Sequence, residues 1–152
     1  MVDAMLGSLA RKLRAFGFDA TYYKAGDDAD LLRISLRENR IILTADRSLA
    51  ARAVAQRIRA ILLVGGSDRE RLSSLAQTAS ARRVRLVRGE PLCSLCGGEL
   101  RAVGKDRVAG EVPPSVRLRH RLFFRCESCG HFYWRGSHWK RLMSLARRLD
   151  QN

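Results

Sequence analysis

Four cysteines carry the plainest chemistry in the chain. Cys93 and Cys96 form one C-x2-C pair, Cys126 and Cys129 a second, and 29 residues separate the pairs. Two residues between cysteines let one tight turn aim both thiolates at a single ion. Gly97 and Gly130 follow the second cysteine of each pair, where backbone amides must turn toward sulfur. Two such knuckles supply four soft donors, a set suited to one tetrahedral, structural Zn2+ with no open position for chemistry. Two disulfides, free buried thiols or an iron–sulfur cluster would use the same residues. No basic, apolar, small-residue order opens the chain, so no signal peptide is expected, and reduced thiols favour zinc. The spacer exceeds the usual 15–20 or so residues of such sites, which predicts an insertion containing Val112-Pro113-Pro114.

Carboxylates form the second group. Asp27, Asp28 and Asp30 lie together, Asp3 follows Val2, and Asp46 follows an apolar run. Acids at strand ends and at a helix start can converge on one face of an α/β sheet and bind a hard ion such as Mg2+ or Mn2+. The chemistry implied is activation of water against a phosphodiester. The same residues are also good helix caps: Asp46 for a helix from Arg47, Asp28 or Asp30 for a helix near Leu31, and Asp68 for another. Composition alone leaves both readings open.

The charge balance names a partner class. There are 29 Lys+Arg against 15 Asp+Glu, a formal net charge of +14 over 152 residues, and nearly all the cations are arginine. Arg offers a planar fork for phosphate, so nucleic acid is the expected partner. Residues 1–90 hold 17 basic and 10 acidic residues and residues 91–152 hold 12 and 5, so the later stretch is the more basic per residue. A 46% hydrophobic content implies a folded core. The longest apolar run, residues 60–64, is far short of the roughly 20 residues that cross a bilayer, and no membrane partner is expected.

These groups need elements to position them. Leu6, Leu9, Ala10, Leu13 and Phe16 recur at helical spacing, with Gly17 as C-cap. Residues 20–23 read as a short strand, and Leu31, Leu32, Ile34, Ser35 and Leu36 as the inner face of a second helix. A strand over 41–44, a helix over 47–58, a strand over 60–64, a helix over 68–81 and a last strand over 84–87 complete the alternation. That order predicts an α/β fold, a parallel sheet with helices on both faces. A break near Gly89-Glu90-Pro91 divides the chain into 1–90 and 91–152, the second part ending in a basic helix over 140–148.

The series Asp3-Ala4-Met5-Leu6-Gly7-Ser8-Leu9-Ala10-Arg11-Lys12-Leu13-Arg14 is similar to D-x-M-L-G-x-L-A-x-x-L-R. Gly17-Phe18-Asp19, Asp28-Ala29-Asp30-Leu31-Leu32, Arg40-Ile41-Ile42-Leu43-Thr44-Ala45-Asp46-Arg47 and Tyr133-Trp134-Arg135-Gly136-Ser137-His138-Trp139 follow in order. Together they resemble the PIN-like RNase domain family named for the C-terminal region of the worm mut-seven exonuclease. The likeness runs from Asp3 to about Met143. It implies a PIN-like parallel sheet with flanking helices, then a small zinc ribbon, and a metal-dependent ribonuclease. By position, Asp3, Asp28, Asp30 and Asp46 become catalytic, with Asp3, Asp28 and Asp46 holding Mg2+ or Mn2+, while Thr44 and Arg47 orient water or phosphate. Asp68 is left as a cap. Family members usually carry several residues ahead of the first Asp, whereas only Met1 and Val2 precede Asp3. Two residues make a poor strand, so the expectation is either a start codon placed too late or a missing first strand and a weakened site.

In the C-terminal third, Phe123, Phe124, Phe132, Tyr133, Trp134 and Trp139 interleave with arginines. Such rings stack unpaired bases, or else form the core of a mini-domain, and half or more are expected to be core. The candidate RNA contacts are Arg11, Arg47, Arg119, Arg121, Arg135, His138, Trp139 and Lys140. His138 is also read as a cap or an interdomain hydrogen bond, and His120 and His131 as auxiliary. The resulting expectation is a cytoplasmic ribonuclease acting on RNA, with one structural Zn2+ and catalytic Mg2+ or Mn2+. Rival readings are a non-catalytic RNA-binding protein associated with the ribosome or ribosomal RNA, and a toxin-like endonuclease. Oligomeric state is not encoded in any motif.

Overall fold

The computed structural model describes residues 1–24, 26–147 and 149. Asp3 opens a 3-10 turn, Ala4–Leu6, that leads directly into helix α1, Gly7–Ala15. Then follow α2 (Asp28–Arg37), β1 (Ile42–Thr44), α3 (Arg47–Ala55), β2 (Ala60–Leu62) and α4 (Asp68–Ala81). Strands β1 and β2 pair in parallel, Ile42 opposite Ala60 and Thr44 opposite Leu62.

The opening residues extend this sheet, which corrects the expectation of a missing first strand. Val2 bridges in parallel to both Leu43 and Tyr22. The Leu43 amide donates to Met1 (2.8 Å) and the Asp3 amide to Leu43 (3.0 Å), while the Val2 amide donates to Thr21 (2.8 Å) and the Tyr23 amide to Val2 (2.9 Å). Two neighbours, one on each side, replace the length that an isolated strand would need. The spatial order is therefore Tyr22, Val2, β1, β2, all parallel, and the strand expected over 20–23 shrinks to the one bridge at Tyr22.

Both faces of the sheet are covered, as the α/β pattern requires. On one face Val2 and Ile61 pack with Leu6 of the 3-10 turn, Leu9 and Leu13 of α1 and Leu72 and Leu75 of α4. On the other, Ile42 and Ala60 pack with Leu31 and Leu32 of α2 and Leu49 and Ala53 of α3. Each of these helices ends with a left-handed residue: Gly17 after α1, Asn39 after α2, Arg57 after α3 and Arg83 after α4. The following amide then reaches back into the helix, as from Ile58 to Ala53 (2.8 Å) and from Val84 to Ala79 (2.8 Å). This is why α3 stops at Ala55, short of the expected Ile58.

Residues 84–87 form no strand, contrary to the pattern reading. Val84 is committed to the end of α4, and Leu86 packs on the first core. The chain is then captured by the end of α1: Arg88 Nε donates to the Phe16 carbonyl (2.6 Å) and the Gly89 amide to Gly17 (2.9 Å). A Cβ at Gly17 would lie 2.1 Å from the Gly89 oxygen, so this crossing requires glycine as well as the positive φ of +92°.

The remainder is an antiparallel sheet of β3 (Leu100–Val103), β4 (Phe123–Cys126) and β5 (Phe132–Trp134), with β4 central. The long spacer between knuckles holds a 3-10 turn, Lys105–Val108, and α5, Pro114–Arg119. Its Val108 and Val112 close a small core with Phe123, against which Val116, Phe132 and Trp134 pack. The predicted insertion thus supplies the apolar side chains that a three-stranded ribbon lacks. Helix α6, Ser137–Ala146, turns back: Ala146 and Leu149 join the first core beside α1 and α4. Arg148, the expected end of the basic helix, lies outside the described residues. Among the described residues no helix is long and apolar enough to cross a membrane.

Candidate functional site

The four thiols meet as the spacing predicted. Their sulfurs all lie within 4.8 Å of one another, with Cys93–Cys129 at 3.6 Å and Cys96–Cys126 at 3.4 Å. A tetrahedral ion with metal–sulfur bonds of about 2.3 Å needs sulfurs about 3.8 Å apart, so the donor set and spacing suit zinc. Gly97 and Gly130 take the left-handed conformation at φ +85° and +76°, which lets each knuckle close. Amides of Gly98 and Cys129 point to Cys96 and Cys126 sulfur at 3.4 and 3.5 Å. Burial, and after it the hydrogen bond with Cys93, push the Tyr133 hydroxyl up to about 12. The hydroxyl lies 3.1 Å from the Cys93 sulfur, and a thiolate ligand there can only accept a hydrogen bond from it.

The carboxylates are arranged differently. Asp3 and Asp46 follow adjacent parallel strands, and Thr44 ties them together. The fully buried Thr44 hydroxyl donates to Asp3 Oδ2 (2.7 Å) and accepts from the Asp46 amide (2.9 Å). Thr44 thus positions a carboxylate, and its own hydroxyl is shut off from solvent. Asp46 Oδ1 caps α3 through the amides of Ser48 (2.7 Å) and Leu49 (3.3 Å). Asp27, not Asp28 or Asp30, caps α2 by accepting from the Asp30 amide (2.8 Å). Asp28 pairs with Arg52 (2.8 Å) and Asp30 with Arg33 (2.6 Å). Among the described residues the four thiols are the only group of three or more metal-binding side chains that closes within 4.8 Å. Asp3 and Asp46 share an edge of the sheet without such closure, while Asp28 and Asp30 stand at the start of α2.

Asp68 is not a cap, contrary to the sequence reading. Ser67 caps α4, accepting from the Glu70 amide while the Glu70 side chain takes the Ser67 amide. The Asp68 carboxylate is thereby released to α1, where Ser8 Oγ donates to Oδ2 (2.6 Å) and Lys12 Nζ lies 2.6 Å away. Burial raises the Asp68 carboxyl, but the hydrogen bonds from Lys12 and Ser8 and the charges of Lys12 and Arg71 outweigh it and hold the group below the usual carboxylate range. The Ser8–Lys12 spacing of four residues was the only sequence signal for this cluster.

A cavity of about 760 Å³ lies between α1, the ribbon and α6. It gathers four of the candidate RNA contacts, Arg11, Arg135, His138 and Trp139. Arg47 instead opens α3 beside Asp46, Arg119 ends α5, Arg121 lies in the bend before β4, and Lys140 is an exposed residue of α6 outside the lining. Of the six interleaved rings only Phe123 is fully buried; the others are half-buried.

One further residue, the arginine that ends the opening series, has a role that the pattern did not reveal. Arg14 of α1 is 6% exposed, and its guanidinium donates to main-chain carbonyls only: Ala20 (2.7 Å), Leu95 (2.9 Å) and, more weakly, Ser94 (3.5 Å). Ser94 and Leu95 are the residues between the first two cysteines, so Arg14 clamps that knuckle onto the first core. An Arg at an exposed helical period would have looked the same in sequence.

Comparison with curated proteins and with solved structures returned no match. The family model described as the Mut7-C RNAse domain matches residues 1–146, spanning the sheet, the acidic edge and the four thiols, and the chain belongs to that family.

Proposed function

We propose that the protein is a metal-dependent ribonuclease that hydrolyses RNA phosphodiester bonds at the carboxyl edge of a PIN-like sheet, in the cytoplasm, with the zinc ribbon assisting RNA binding. The observation that carries this reading is the Asp3–Thr44–Asp46 tie at adjacent strand ends, in a chain of a ribonuclease-domain family. Asp3, Asp28 and Asp46 are hard oxygen donors of the kind that hold Mg2+ or Mn2+. When bound there, such an ion lowers the pKa of a water and polarises a phosphoryl oxygen.

The chain's own residues do the positioning. Thr44 fixes the Asp3 carboxylate, which is not used to cap the 3-10 turn it opens. Asp46 uses one oxygen on the helix amides, and the second has no protein hydrogen bond among the described residues. Asp30 adds negative charge at the start of α2, and Arg47 offers a guanidinium to phosphate next to the acids. Asp28 is held by Arg52, a pairing that ligation would have to exchange.

The test is cleavage of end-labelled single-stranded and structured RNA with Mn2+, comparing the zinc-loaded protein with Asp46→Asn. Metal-dependent cutting that falls by two orders of magnitude or more in the variant is expected; equal cutting by both, or none by either, sinks the proposal. Asn keeps an N-cap, so folding is not confounded. The pairing of Asp28 and Asp30 with arginines favours a second reading, an RNA-binding protein of the ribosome-associated kind without catalysis. It predicts salt-dependent RNA binding in both proteins with cutting in neither.

A further inference from the structure

We propose that the cavity between α1, the ribbon and α6 is a binding site for an unpaired RNA nucleotide, its base stacked on tryptophan and its phosphates held by Arg11 and Arg135. This rests on the reading of the protein as a ribonuclease and adds where its substrate is gripped, away from the acids that cut it.

Three observations converge. The chain's two tryptophans, Trp134 and Trp139, both line the cavity, together with the half-buried rings of Phe124 and Tyr133. Stacking is the interaction that every base accepts regardless of sequence. The charge is one-sided: Glu90 is the only carboxylate on the lining, against Arg11, Lys12 and Arg135. Lys12 is already paired with Asp68, but neither Arg11 nor Arg135 has an acidic partner among the described residues. Arg135 lies over the Phe124 ring, 5.4 Å from its centre, so cation and ring are already stacked together as a nucleotide would want them. The volume, about 760 Å³, is in the range that small organic ligands fill. An apolar peptide would have no use for the guanidiniums, and a duplex keeps its base faces stacked inside the helix, away from the tryptophans.

The site also has a route to the acidic edge. Ser8, Arg11, Lys12 and Ala15 line the cavity at spacings of three and four, so one face of α1 forms a wall. From Ser8 to Ala15 that wall is about 10 Å long, and it starts one 3-10 turn from Asp3. A strand gripped at the ribbon end would lie along α1 toward Asp3.

Both tryptophans report on the cavity, which makes the test direct. Zinc-loaded protein, without added Mg2+ or Mn2+, is titrated with fluorescein-labelled pentauridylate, following tryptophan emission and label anisotropy together. The expected result is quenching that tracks anisotropy. Trp139→Leu should weaken binding about tenfold. Arg11→Gln and Arg135→Gln should each weaken it about three- to tenfold and lower the salt slope by about 0.7. Arg135→Lys should restore the slope, and circular dichroism and zinc content show that each variant is folded. Wild-type anisotropy in every variant with unchanged tryptophan emission would place the RNA elsewhere and overturn the proposal, while leaving the ribonuclease reading intact. Equal quenching by a blunt RNA duplex, or displacement of pentauridylate by hexaglutamate at equal charge, also overturns it. Loss of Mn2+-dependent cutting with this binding preserved would instead count against the ribonuclease reading alone.

Discussion

The thiols and the carboxylates are both sets of potential metal ligands, and the fold treats them in opposite ways. Cys93, Cys96, Cys126 and Cys129 close to within 4.8 Å, each pair on one local turn. Asp3, Asp28 and Asp46 come from three separate elements, and each is engaged by protein: Asp3 by Thr44, Asp28 by Arg52, Asp46 by the amides of α3. A closed set of soft donors belongs to the folding of the ribbon. The hard donors stay an open set: Thr44 links Asp3 to the backbone of Asp46, and Arg52 holds Asp28. Like charges drawn together without such partners would repel.

The largest expected effect is on the thiol side. Cys126→Ser should abolish stoichiometric zinc and unfold β3–β5, since structural zinc supplies about 10–16 kcal/mol in small domains. Amide exchange would show protection lost there but retained in β1 and β2. If the ribbon stays protected without metal, the contrast between a folding site and a working site falls. Next is Arg14→Leu, which strands the carbonyls of Ala20 and Leu95 and should cost about 3 kcal/mol in denaturant unfolding. A loss below 1 kcal/mol or so would mean that the knuckle and α1 are not coupled through it.

Thr44→Val sharpens the carboxylate side. It leaves the Asp46 amide and Asp3 Oδ2 without their partner and should cost about 2 kcal/mol. Cutting should fall more than stability explains, because Asp3 loses its orientation; unchanged kcat would deny Thr44 that role. The smallest effect is on pH dependence. The Asp68 carboxyl is held low in the folded protein, so its stabilising contribution is complete above the ordinary Asp value of about 4 and is lost as pH falls through the lower folded value. Asp68→Asn should flatten the acid limb of the stability profile there and leave its slope unchanged near neutrality. A steeper acid limb in the variant would reverse the sign of the argument.

What could be read from sequence follows the range of the interactions. The knuckles were legible because two residues and a glycine determine them locally. The helices were legible because Leu9, Leu13 and Phe16, or Leu31, Leu32 and Ser35, recur three and four residues apart. The opening strand was misread because its stability comes from Tyr22 and Leu43, distant in sequence, and not from its length. Residues 84–87 have strand composition, yet the end of α1 claims Arg88 and Gly89 before pairing with β2 can occur. The acids were found as residues but not in their attachments. Asp68 resembled a cap until Ser67 and Glu70 took that work, and Asp28 resembled a cap until Asp27 did. The return of α6 to the first core rests on Ala146 and Leu149, whose companions there come from α1, β2 and α4, far earlier in the chain.

Arg14 has an evolutionary consequence. Its guanidinium recognises main-chain oxygens, which every sequence possesses, so the knuckle it holds is free to drift in side chain at Ser94 and Leu95. It is not free to change length, because one inserted residue would carry those oxygens out of reach. Descent should therefore conserve the cysteine interval and the arginine as a pair, and any gene rearrangement that exchanges one half of the chain has to bring the other with it.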